Sequence, residues 1–342
     1  MKKVLSQSGS TIGRRDFIFS MAAIALGKTG SPNSSRLSSG ADLDSLVGIN
    51  QEQPWIRVLE DNEMYTLKLH SKWYQQGDLM VAELEPHIPL QDSTFNFYAK
   101  RPDGTTRKLS LPQLNKDGKT YVFLGIDYEY PVQNATLELK LTGGGRNINK
   151  PYQIGIKILE NVREQNFSSA ATQNAEPMTP EDEKSAERER TLLYPAWGDY
   201  TTKSNHVTGG FQLPRAVCDF GSFGARRIYD GKERSRHNGM DCEGEIGEII
   251  RAALPGKIVR SENGFFYMGN TVMVQHGFGL YTLYAHMNMR NVREGEIVSS
   301  GQNIGEIGMS GRVTGPHLHW QAKLYGMNMD PKSLEVLNDA FK

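Results

Sequence analysis

The stretch Gly315-Pro316-His317-Leu318-His319 decides how the last third of the chain is read. Side chains on an extended segment alternate with a period of two, so histidines one residue apart project from the same face. Upstream stand two further pieces, His237-Asn238-Gly239-Met240-Asp241 and Tyr284-Ala285-His286-Met287. Four of the chain's 8 histidines thus fall, together with a carboxylate, in three short segments with glycines nearby. A lone histidine is ordinarily a satisfied structural residue. Such are His70 and His87, which stand isolated, and His276 before Gly277. A spaced set with an aspartate is instead the material of a metal or catalytic site.

Working outward, Asn270–His276, the Gly277-Phe278-Gly279 turn and Leu280–His286 read as strand, turn and strand, a hairpin that delivers His286 at its end. Gly295, Gly301, Gly305, Gly308, Gly311 and Gly315 then punctuate short strands. Residues 196–342 therefore read as a compact antiparallel β domain with almost no helix. Before it, residues 163–195 form a linker with one connector helix, begun by Thr179 as N-cap, Pro180 at the first helical position and an acidic first turn. The mixed charges of that helix read as a solvated face.

Residues 51–162 carry repeated alternating runs: Tyr65–Ser71, Phe95–Ala99, Tyr121–Ile126, Thr136–Leu141 and Tyr152–Ile158. Turn signals at Pro102-Asp103-Gly104, Lys116-Asp117-Gly118 and Gly143-Gly144-Gly145 separate them. Strands at this spacing with no helical pattern predict a β-sandwich of immunoglobulin-like type. It contains no catalytic cluster, so its expected part is to position, shield or recognise. The whole chain is expected to be all-β: a sandwich, a helical connector and an antiparallel β domain.

Residues 1–27 read as an export signal. Arg14-Arg15 precede the apolar run Phe17–Leu26, too short for the about 20 residues of a membrane-spanning helix, and Ala23-Ile24-Ala25 offers a cleavage site. The paired arginines resemble a bacterial twin-arginine signal, with a general secretory signal as the alternative. No cysteine follows the run, so no lipid anchor is expected, and no transmembrane anchor remains after cleavage. Residues 28–50 are a flexible polar linker. The expected location is the periplasm or another exported one. In an oxidising compartment Cys218 and Cys242, the only 2 cysteines, either form a disulfide or stay as buried thiols. With 39 basic and 39 acidic residues there is no excess of positive charge to suggest a nucleic-acid partner.

A catalytic zinc site takes three protein ligands from His, Asp or Glu and keeps one position open. His237, Asp241 and one of His317 and His319 supply such a set, and spacing alone does not say which of that pair binds. The remaining imidazoles are free to act as general base or to stabilise an oxyanion. Asn238-Gly239 is poor helix material, so His237 and Asp241 are expected on a loop or strand end. Cys242 should point away from Asp241's face by alternation.

His-x-Gly-x-Asp, Tyr-Ala-His and Gly-Pro-His-Leu-His, in this order, resemble the lysostaphin/LytM-type peptidoglycan metallopeptidases. The resemblance runs from about Phe211 to Pro331 and includes Ser222-Phe-Gly-Ala-Arg226, Gly269-Asn-Thr-Val272 and Asp330-Pro331. It implies one zinc ion per chain on His237, Asp241 and His319, with His286 and His317 as catalytic base and transition-state stabiliser. It also implies the substrate, peptide stems of peptidoglycan, and the activity, a D,D-endopeptidase. The preceding sandwich is similar to the N-terminal domain that accompanies this peptidase in Gram-negative bacteria. Some members of the family hold the oxyanion with a tyrosine, for which Tyr229 and Tyr267 are the candidates. Two other functions compete: a non-catalytic wall-binding or amidase-activating regulator, and a zinc peptidase of protein substrates. Regulators of this kind typically lack zinc ligands, and this chain lacks none.

Overall fold

The computed structural model describes residues 56–131, 135–159, 163–167, 179–200 and 204–342. The export signal at 1–27 and the linker at 28–50 lie outside the described residues. Strands dominate, and nearly all pair antiparallel.

Two sheets occupy the N-terminal part. One runs in the order Ile56–Asp61, Tyr65–His70, Leu79–Pro86, Lys119–Gly125, Leu114–Lys116; the other Thr106–Ser110, Leu90–Lys100, Ala135–Gly143, Arg146–Ile154. Alternation buries one face of each, with Leu67, Leu69 and Phe123 on the first and Phe95, Phe97, Leu137 and Leu139 on the second sharing one apolar cluster. Leu79–Pro86 gives no alternation signal because it is buried on both faces along most of its length. The strand expected at Tyr152–Ile158 instead spans Arg146–Ile154. Gly144 and Gly145, both at positive φ, close a two-residue hairpin that sets Gly143 opposite Arg146 and pulls the strand start forward.

The same apolar cluster continues into the C-terminal sheet through Phe278, whose ring lies 5.5 Å from that of Phe123. Backbone and side-chain bonds tie the two parts: Asp330 N–H to Gly77 O at 2.7 Å, Leu79 N–H to Ser333 Oγ at 2.9 Å, and Asn328 N–H to Asp127 Oδ2 at 2.7 Å. The C-terminal sheet has nine strands, with Met240–Glu243, His317–Leu324, Leu280–Arg290, Gly269–Gly277 and Gly256–Phe265 adjacent in that order.

The connector helix spans Pro180–Ala196, and Thr179 and Asp182 exchange hydrogen bonds as a capping box. Its Leu193, with Trp197 just beyond, packs on Phe265, Met268, Met273, Tyr281 and Leu283 of the large sheet. Its charges are not all solvated, however. Glu189 is wholly buried and accepts the Tyr267 N–H at 2.8 Å. The linker ahead of the helix also holds a strand, Glu164–Phe167, parallel to Arg226–Tyr229; its sequence Glu-Gln-Asn-Phe carries no apolar alternation to announce it. Among the described residues no helix is long and apolar enough to cross a membrane.

His276 lies inside this core. Its Nδ1 bonds Pro255 O at 2.6 Å and its Nε2 bonds Thr282 Oγ1 at 2.8 Å. Burial pulls its pKa down to about 4, against the Pro255 carbonyl, which favours the charged ring. Between about pH 6.5 and 4 the unfolded chain therefore binds a proton that the folded chain refuses. Stability present above pH 6.5 is lost as the pH falls toward 4, by up to about 3 kcal/mol. His276→Gln should flatten this slope in urea midpoints measured across that range; an unchanged slope would assign the acid sensitivity elsewhere.

Candidate metal centre

The centre is built where three strands meet. Met240–Glu243 pairs antiparallel with His317–Leu324, setting Asp241 directly opposite His319. Residues directly opposite share a face, so carboxylate and imidazole meet without any loop. His237 enters from the turn before that strand, with its backbone N–H on Ala225 O and its carbonyl accepting Gly224 N–H. His237 Nε2, Asp241 Oδ1 and His319 Nδ1 converge, with separations of 3.0 Å between the two nitrogens and 3.2 and 3.1 Å to the carboxylate.

His286 reaches the same place by a different route. Ala285 pairs with His319, so strict alternation would turn His286 to the opposite face. Instead His286 adopts a positive φ of 63°, and the strand register shifts just beyond it. Its ring then lies 4.9 Å from that of His317 and 5.9 Å from that of His319. A left-handed conformation costs a side-chain-bearing residue about 1–2 kcal/mol. The Met268 carbonyl, which accepts the His286 N–H at 2.9 Å, and the Ser310 carbonyl on Nδ1 at 3.0 Å hold it there. The hairpin does not end at His286 as expected; the strand runs on to Arg290.

The surroundings fix ring orientation. The Ser222 carbonyl accepts from His237 Nδ1 at 2.8 Å, which leaves the Nε2 lone pair facing the cluster. The Gly315 carbonyl does the same for His317 Nδ1 at 2.9 Å. His317 Nε2 stands 3.7 Å from Asp241 Oδ1. Ser222 Oγ also accepts the Asp241 N–H at 3.0 Å. The Ser222 turn is anchored by a Cys218–Cys242 disulfide, which settles the two open fates of these cysteines; Cys242 is buried on the face away from Asp241.

Burial pushes the Asp241 carboxyl up, but the neighbouring His237 and His319 outweigh it and hold the group well below the carboxylate range. Burial lowers His319 to about 4, and it holds His286 well below the ordinary imidazole value, with His319 and His317 adding to the effect. Neutral imidazoles and an ionised carboxylate are the protonation states a cation requires. The donor set therefore fits a metal: three ligand atoms at mutual spacings near those of a tetrahedron's corners, with two imidazole nitrogens 3.0 Å apart and both facing one carboxylate oxygen.

Gly239 lies under the cluster. A Cβ there would sit 2.7 Å from His319 Nε2 and 2.7 Å from the Trp320 carbonyl. Gly239→Ala should thus displace the ring and weaken metal binding about tenfold or more, the scale of a disturbed supporting shell. Metal competition with a chromogenic chelator measures it; unchanged affinity would show that the ring can shift freely.

Tyr267 gives its N–H to Glu189 and its ring meets Phe266 edge-on at 4.8 Å, while Tyr229 ends the strand Arg226–Tyr229. Sequence reading missed Glu189, whose carboxyl burial raises to about 7 against the Tyr267 and Met268 amides that it caps. One charge in a charged helix carries no signal of its own.

Residues 235–331 match the model of peptidase family M23. Peptidoglycan DD-endopeptidase ShyC of Vibrio cholerae is 36% identical over 127 residues, 36% of this chain and 29% of that protein. DD-carboxypeptidase/endopeptidase Mpg of Neisseria meningitidis is 39% identical over 101 residues, 29% of this chain and 23% of its own. The chain thus spans less than a third of the length of these curated relatives. A crystal structure described as a peptidase M23 from Pseudomonas aeruginosa covers 78% of this chain and 96% of its own, at TM-score 0.51 and 20% identity, a likeness of fold. Over residues 235–331, then, the chain is similar to peptidase family M23, and the ordered histidine motifs lie within that matched segment.

Proposed function

We propose that the chain is an exported zinc metalloendopeptidase that hydrolyses peptide cross-links of peptidoglycan, of the D,D type. The observation that carries this reading is the convergence of His237 Nε2, Asp241 Oδ1 and His319 Nδ1 beside the His286 and His317 rings. The substrate class is supported by the relatives' names, peptidoglycan DD-endopeptidase and DD-carboxypeptidase/endopeptidase.

His237, Asp241 and His319 would hold the ion, and two imidazoles with one carboxylate suit zinc. Bound there, zinc supplies Lewis-acid polarisation of the scissile carbonyl and lowers the pKa of a water. His286, kept neutral by burial and with Nδ1 turned to Ser310 O, presents Nε2 to take a proton from the attacking water. That proton passes to the departing amine as the C–N bond breaks. His317, beside the Asp241 carboxylate, stabilises the oxyanion when protonated. The immunoglobulin-like nature of the first two sheets, the division into 51–162, 163–195 and 196–342, and export by a twin-arginine signal to the periplasm belong to the same proposal.

The test is mass spectrometry of purified sacculi after incubation with the protein. New amine and carboxyl ends at the cross-link establish the endopeptidase and name its bond. Intact sacculi would favour a wall-binding or amidase-activating role.

A further inference from the structure

The sheet face that holds the metal centre does not stop at His319. On the strand His317–Leu324, the alternation that turns His317 and His319 toward the centre also turns Gln321 and Lys323 to that side. These two line a cavity of about 320 Å³ shared with Arg107, with Trp197 and Tyr200 just after the connector helix, and with Asn238 next to His237. Lys323 lies four residues beyond His319, or about 13 Å along the strand.

Lys323 is 7% exposed, and its ammonium sits 5.1 Å over the Trp197 ring. Among the described residues it makes no hydrogen bond and no ion pair. The acids whose charges reach it are Asp127 and Glu129. Asp127 is already taken by Asn328 N–H at 2.7 Å and Glu129 N–H at 3.0 Å. Among the described residues Arg107 bonds neutral oxygens: Tyr325 O at 2.5 Å, Tyr130 Oη at 3.3 Å and the Tyr200 hydroxyl. Arg101, Arg107 and Lys323 thus line the cavity together with Asp103, Asp127 and Glu129. Of the three cations Lys323 is the buried one, and among the described residues no carboxylate comes within ion-pair distance of it, which is unfavourable for an enclosed ammonium. The walls supply aromatic faces for an aliphatic body.

We propose that this cavity is a subsite for a carboxylate of the peptide whose amide lies at the metal centre, with Lys323 as its counter-ion and Trp197 and Tyr200 packing on the stem between. The peptide's role as substrate rests on the endopeptidase reading; its binding does not. The cavity would favour strands bearing a free carboxylate about 13 Å from the scissile bond over amidated ones.

The experiment is calorimetric titration of the metal-loaded full chain with N-acetyl tetra-D-alanine and with its C-terminal amide. The free acid should bind about tenfold or more tightly, the scale of one charge-assisted contact, and Lys323→Met should erase the difference. A preference that survives Lys323→Met belongs to the metal and overturns the subsite, as does equal binding of the two peptides. Should Lys323→Met not fold, Arg107→Gln on the half-exposed wall must narrow the preference, and no narrowing overturns the proposal. Trp197→Leu should weaken both peptides while keeping the preference; loss of neither peptide's affinity removes the proposed wall. Discrimination with intact sacculi would sink the endopeptidase and keep the subsite, and cleavage without discrimination the reverse.

Discussion

Asp241→Ala is expected to give a folded protein that does not retain its metal. The carboxylate is the one negative charge among the three converging atoms, and it faces both His237 and His319 within 3.2 Å. Its removal leaves two imidazoles with no anion to set their spacing. The loss should exceed the about 10- to 100-fold that follows from losing a group behind a ligand. The fold should survive, because Asp241 contributes its backbone to the pairing with His319, and that pairing needs no particular side chain. Metal content after dialysis, with near-ultraviolet circular dichroism as the control for folding, decides the matter. Stoichiometric metal in a folded Asp241→Ala chain would overturn the ligand assignment.

The second large effect concerns His286 and His317. Each, replaced by alanine, should lower kcat/KM on cross-linked muropeptides by about 100- to 10,000-fold, the usual contribution of a positioned proton-transfer group, while metal content stays unchanged. The two should differ in pH dependence. Burial keeps His286 unprotonated below the ordinary imidazole range, so the acid limb of the wild-type profile should lie below about pH 6.5. His317→Ala should preserve that limb, since the base remains. Wild-type rates from either variant would remove that residue from the chemistry.

The parts of the site carried by residue type were legible in the sequence. Two histidines in Gly315–His319, a carboxylate after His237 and an imidazole after Tyr284-Ala285 are rare side chains in short spacings, and the structure brings all five together. The approach of His286 was not legible, because a regular hairpin turns it away and only a left-handed backbone brings it back. The connector helix was announced by Thr179 and Pro180, whose capping chemistry is local. Glu189 and Lys323 were silent, since ordinary surface charges look the same until a neighbouring element covers them. The strands Tyr65–His70 and Ala135–Gly143 showed through alternation, whereas Leu79–Pro86 and Glu164–Phe167 had none to show.

The pairing of Asp241 with His319 spans 78 residues, and that of His237 with His319 spans 82. Contacts so distant in sequence form late, because the chain between must first be ordered. A chain still being made has Asp241 but not yet His319, and an unfolded chain has both with nothing to join them. The centre therefore comes into being only when the strand His317–Leu324 closes onto Met240–Glu243, and folding itself acts as the switch that arms it.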